Sequence, residues 1–162
     1  MQISIKSLLH NYLSQLLSIV TKIPQEIFHK QLAPDMFSLA ENAKIAANFS
    51  LRGYCPLVDQ KIVTFGEDGN TKEIILRTIQ KTLNYLDSLP EVIDLDSSRR
   101  INDKAGFTTV DLPQPQYIHQ YIIPNFLFHM SMVYAIARHC GVPLSKGDFD
   151  GFHSYPTGFT FI

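Results

Sequence analysis

Apolar residues recur along the first segment of the chain with the period of a helix. From Ser4 to Lys22, steps of about 100° per residue gather Ile5, Leu8, Leu9, Tyr12, Leu13, Leu16, Ile19 and Val20 into one arc. Ser4, Ser7, Asn11, Ser14, Gln15 and Ser18 fall opposite, with His10 on the flank beside Leu17. That division predicts an amphipathic helix packed on one side. A second helix is expected to begin at Pro34-Asp35, since proline suits a first turn and aspartate favours a helix N-terminus. Met36, Leu39, Ala40, Ala43, Ala46 and Ala47 form its buried face, and so many alanines imply a close neighbouring helix. Gly53, followed by Pro56, ends it. Residues 57–69 read as a loop broken by Gly66 and Gly69. Asn70 and Glu73 then have the spacing of a capping box, opening a helix to about Ser88 that buries Ile75, Ile79, Leu83 and Leu86 before Pro90 closes it.

The helical period disappears from Glu91 to Pro115. Short runs at Arg100-Ile101 and Phe107–Val110, separated by Asp103 to Gly106, fit a small β-hairpin, and Gln116 to Ile123 a short helix or turn. Pro124 is placed as the first residue of the last long helix, which reaches Cys140. Gly141 supplies a left-handed cap there and Pro143 follows. Beyond Leu144 a Gly- and aromatic-rich tail is expected to lie over the helices. With no internal repeat or low-complexity stretch, residues 1–162 read as one all-α domain, a four-helix bundle with a small hairpin before the last helix.

Composition narrows the function classes. The chain has 162 residues, enough for one domain to bury a core without disulfides or metals. Lysine and arginine number 14 against 15 acidic residues, a net charge of −1, and no basic patch marks a nucleic-acid or anionic-membrane surface. The apolar N-terminal segment is interrupted throughout by polar residues, so it reads as neither signal peptide nor membrane span. Cys55 and Cys140 form no CxxC pair, and a cytoplasmic location with reduced thiols is the expectation. Both thiols read as inert. The glycines match no phosphate-binding pattern, and no nucleophile elbow supports a serine triad.

The last helix carries the candidate chemistry. With Asn125 at the origin, His129 falls at about 40°, inside an arc made by Ile136, Cys140, Val133, Phe126 and Ala137. Asn125 stacks on the same face one turn earlier, while His139 projects with Arg138 to the polar side. A buried histidine needs hydrogen-bond partners or a ligand, because each unsatisfied buried group costs about 1–3 kcal/mol. Asn42, on the flank of the second helix between Phe49 and Ala46, is positioned to meet Asn125 and His129 between helices. Three readings stand: a structural hydrogen-bond network, a pocket for a small polar ligand bound by Asn42, Asn125 and His129, or a metal centre at His129. Zinc favours His, Cys and carboxylate, and catalytic sites normally have three such ligands; asparagine suits harder ions. Asp148, Asp150 and His153 in the tail read as a solvated acidic loop.

Two stretches carry a family resemblance: Leu32-Ala33-Pro34-Asp35-Met36-Phe37-Ser38-Leu39, and Pro124-Asn125-Phe126-Leu127-Phe128-His129 continuing through Tyr134 to Leu144. With the ending from Gly141 to Phe149, they resemble an uncharacterised bacterial and fungal domain family of the DinB-like superfamily of four-helix bundles, over essentially the whole chain. Typical DinB-like proteins carry a metal triad, one histidine from the second helix and an HxxxH pair from a later one. Some relatives are thiol-dependent transferases or isomerases, and many form dimers. Laid on this sequence, the three ligands fall at Asn42, Asn125 and His129, and only His129 matches. The resemblance therefore implies a degenerate metal position in a non-catalytic binding or structural module with no cofactor. The alternative is a metal-dependent enzyme, with Zn or Ni, acting on a small thiol; it needs further ligands such as His119 or a tail carboxylate. A third reading is a homodimer whose helix faces build an interface.

Overall fold

The computed structural model describes residues 3–162. Helix α1 (Ile5–Lys22) starts at Ser4, whose Oγ accepts the Ser7 N–H at 3.1 Å, and buries Leu9, Leu13, Leu16, Ile19 and Val20. Helix α2 (Leu39–Tyr54) begins at Leu39, later than Pro34-Asp35. The reason is a reciprocal cap within the chain itself. Ser38 N–H donates to Glu41 Oε2 at 2.7 Å and Glu41 N–H to Ser38 Oγ at 3.3 Å, which satisfies two of the donors that a helix starting at Leu39 leaves without an intrahelical acceptor. Pro34 instead sits in a turn, where Met36 N–H meets the Ala33 carbonyl at 3.1 Å.

Helix α2 ends at Tyr54, between Gly53 and Pro56 as expected, but Gly53 lies in its last turn and is not a left-handed stop. A Cβ at this position would stand 2.4 Å from Ile122 Cγ2, so glycine is required for close helix approach. Helix α3 (Lys72–Ser88) is capped by Thr71, whose Oγ1 accepts the Ile74 N–H at 3.3 Å; Asn70 is not the cap. Its buried stripe is Ile75, Ile79, Leu83 and Leu86, joined by Thr78 and Thr82.

The hairpin is longer than the sequence pattern suggests. Strands β1 (Arg100–Ala105) and β2 (Thr108–Pro113) pair antiparallel, from Arg100 opposite Pro113 to Ala105 opposite Thr108, around Gly106 at φ +60°. The chain then runs without a break through α4 (Gln114–Gln116), a wide π-type stretch over Tyr117–Ile122, and α5 (Ile123–His139). Pro124 lies in the first turn of α5, within one residue of its expected place, but that helix continues from the wide turn and does not start afresh. The proline has no N–H to offer Gln120 and its ring would clash there, and the wide turn absorbs this, with Ile123 N–H bonding to the Ile118 carbonyl. Gly141 (φ +84°) ends α5, as its left-handed cap was expected to.

Helix α5 packs chiefly on α2, α2 on α3, and α3 on α1. The short α6 (Lys146–Asp150) lies against α1, with Phe149 between Tyr12 and Tyr134 and Asp148 paired to Lys22. Arg52 on α2 ties the hairpin down. Its Nε donates to Asp103 at 2.6 Å and a second guanidinium nitrogen to the Tyr121 hydroxyl at 2.9 Å, while the Tyr117 hydroxyl reaches Asp103 at 2.9 Å. The result is a four-helix bundle with one β-hairpin ahead of its last long helix. Among the described residues no helix is long and apolar enough to cross a membrane.

Candidate functional site

The α2–α5 contact brings Asn42 and His129 together. His129 is 8% exposed and Asn42 2%, and His129 Nδ1 stands 2.8 Å from Asn42 Oδ1. The roles in this bond follow from the rest of the amide. Asn42 Nδ2 donates both its hydrogens, to the Phe37 carbonyl at 3.1 Å and the Ser38 carbonyl at 2.9 Å. The oxygen is thereby the atom turned to the ring, so Nδ1–H is the donor and Nε2 carries a lone pair. No protein group among the described residues bonds Nε2, yet no buried side-chain nitrogen or oxygen lacks a partner. Nε2 must therefore reach the surface of the cavity that His129 lines.

Burial holds the His129 ring below the ordinary histidine value of 6.5, which favours the neutral form. Three phenyl rings surround it. Phe49 stacks at 5.8 Å between centroids with planes 18° apart, Phe128 meets it edge-on at 5.1 Å, and Phe37 lies tilted at 6.2 Å. Phe49 also contacts Tyr121 and the Arg52 guanidinium, which links the site to the hairpin anchor.

Asn125 does not join this pair. Its Nδ2 donates to the Tyr121 carbonyl at 2.7 Å, capping the exit of the wide turn, and no hydrogen bond connects it to Asn42 or His129. His119 is exposed and faces a separate recess with Ile93 and Pro115. In the tail, Asp150 pairs with His153 and is held down at about 2 by backbone N–H groups of His153 and Phe152. His10 pairs with Asp87 at 2.7 Å on the surface, and His139 is exposed as expected. Among the described residues no three His, Cys, Asp or Glu side chains cluster so as to hold a metal ion. Cys55 is buried, and that burial raises its thiol above the ordinary value, which opposes reactivity. Cys140 is only half-buried.

The cavity at His129 measures about 530 Å³ and opens to solvent. Gln31 and Pro34 to Phe37 form one wall, Glu41 and Asn42 the first turns of α2, and Phe128, His129 and Met132 the α5 side. Its size lies within the range of small-molecule sites. Phe37, Phe128, Asp35 and Glu41 are members that helical periodicity does not single out. The available signal was Ser38-x-x-Glu41, whose capping-box spacing places 31–37 as a loop folded over the start of α2. The two stretches that carry the family resemblance, Leu32–Leu39 and Pro124–His129, meet across this cavity.

A crystal structure of a DinB family member from Shewanella denitrificans matches the chain with a TM-score of 0.78 and 22% identity, covering 95% of this chain and 93% of that one. That likeness establishes the DinB-like fold. No curated protein matches the chain. The family described as a domain of unknown function, DUF1993, matches residues 4–150. The chain thus belongs to the DUF1993 family and has a DinB-like fold.

Proposed function

We propose that this chain is a small-ligand-binding module without a catalytic step, and that its cavity occupies a degenerate metal position. The observation that carries this is His129, buried, with its neutral form favoured by that burial, and presenting one ring nitrogen without a protein partner to a cavity of small-molecule size. The other two positions of the DinB-like triad are amides already engaged, Asn42 with His129 and Asn125 with Tyr121. Neither offers a lone pair comparable to a thiolate, imidazole or carboxylate.

One feature favours the second reading, a metal-dependent enzyme acting on a small thiol. A neutral imidazole whose Nδ1–H is fixed by an oxygen acceptor is the arrangement in which metal-bound histidines are held. His119 and the tail carboxylates do not supply the missing ligands, being engaged or placed elsewhere. The two readings separate on metal content. Protein purified without chelator or histidine tag should contain no stoichiometric metal by mass spectrometry, and Zn²⁺, Ni²⁺ or Mn²⁺ should leave its melting temperature unchanged. Near-stoichiometric metal, with a melting shift lost in His129→Ala, would replace the binding-module reading with the enzymatic one.

A further inference from the structure

The chemistry of the cavity lining selects among ligand classes, and this selection rests on the binding-module reading above. His129 is more than nine-tenths buried, and its one free polar atom, Nε2, accepts and does not donate. The lining contains two carboxylates, Asp35 and Glu41, and neither lysine nor arginine. A helix N-terminus ordinarily favours an anion, but that of α2 is closed. Ser38 N–H is taken by Glu41 Oε2, Leu39 N–H by the Lys30 carbonyl at 2.9 Å, Ala40 N–H by the Phe28 carbonyl at 3.0 Å, and Glu41 N–H by Ser38 Oγ. An anion would meet no free first-turn donor, a lone pair in the floor and two like charges in the wall. The half-exposed rings of Phe37 and Phe128 add apolar surface whose quadrupole also prefers cations.

We propose that this cavity takes a small organic cation, a primary ammonium on a compact apolar body, which donates an N–H to His129 Nε2 and faces the carboxylates of Asp35 and Glu41. The apolar body packs against Phe37 and Phe128, and the flexible thioethers of Met36 and Met132 adapt to its shape.

The test uses three probes of one shape, benzylammonium, benzyl alcohol and benzoate, titrated into the full chain and followed by amide chemical shifts. Benzylammonium should bind saturably, with shifts centred on Phe37, Asn42 and Phe128, and benzoate should not. The double variant Asp35→Asn, Glu41→Gln should weaken benzylammonium binding by about five- to tenfold. Glutamine retains the reciprocal cap, so this variant keeps its fold, and an unchanged melting temperature checks that. Benzoate or benzyl alcohol binding in the cavity as tightly as the amine, or amine binding untouched in the double variant, would overturn the cation assignment while leaving a binding module. Absence of binding by all three probes would overturn both. Nα-acetyl-lysine N-methylamide serves as a fourth probe. Tighter binding of it than of benzylammonium would assign the site to a lysine side chain of a partner protein and overturn the small-molecule assignment.

Discussion

At the scale of single residues, Asn42 and His129 form a unit in which every polar side-chain hydrogen is donated, the amide oxygen accepts one of them, and only His129 Nε2 is left without a protein partner. The two Asn42 donors hold its amide against the carbonyls of Phe37 and Ser38, and its oxygen fixes the imidazole. Replacing His129 by alanine leaves a buried amide oxygen without a donor and empties the space between Phe49 and Phe128. His129→Ala should therefore lower stability by about 1–3 kcal/mol in chemical denaturation. Asn42→Ala should fall in the same range, because it takes the side-chain donor from the Phe37 carbonyl and the acceptor from the ring N–H together, while the Ser38 carbonyl keeps its bond from the residue 42 backbone N–H. In a double-mutant cycle the two losses should be clearly less than additive, as expected for partners in one bond. Strict additivity would show that the pair is not coupled. His139→Ala, on an exposed position, should be nearly silent.

At the scale of elements, the join between α2 and the last helix decides where His129 points. The wide turn at Tyr117–Ile122 accommodates Pro124, and Ile122 enters the space left by Gly53. Ile122 presents Cγ2, Cγ1 and Cβ all within 3.2 Å of a Cβ added at Gly53, so a rotamer change alone does not relieve the contact. Gly53→Ala should cost about 1–3 kcal/mol through overpacking, despite the higher helix propensity of alanine. Adding Ile122→Ala should recover part of that loss, measurable in the same denaturation series. A Gly53→Ala variant as stable as the parent would mean that α2 and the wide turn do not approach so closely.

At the scale of the whole molecule, stability should depend on pH in two separate windows. His129 has a folded value below its ordinary 6.5 because of burial. The unfolded chain then binds more protons between the two values, so stability is full above about pH 6.5 and declines as pH falls through that range. Glu41 is held below its ordinary 4.5 chiefly by the Ser38 backbone N–H, and Asp150 lies at about 2. Their contribution is present above the ordinary carboxylate range and is lost only at lower pH. Melting temperatures should thus fall in two steps, and His129→Phe should remove the upper one. Persistence of the upper step in that variant would assign it to another histidine.

The long helices were legible along the chain because each is amphipathic: α1 and α3 bury the stripes that a period of 3.6 residues marks. The hairpin, the Gly141 stop and the inward position of His129 were equally local properties, readable from turn chemistry and from one helix face. The start of α2 was legible too, in Ser38 and Glu41, but the competing proline signal pointed elsewhere, and hydrogen-bond satisfaction decided between them. The continuity of α4 into α5 was not legible, since a proline ordinarily starts, ends or kinks a helix, whereas here the wide turn takes it up while Ile122 packs beside Gly53. The pairing of Asn42 with His129, and the placing of Glu41 in the wall beside them, depend on how α2 and α5 are rotated against each other. Local pattern names the face a residue occupies; only packing between helices sets which side chains on that face meet, because the rotation is chosen by the whole buried surface at once.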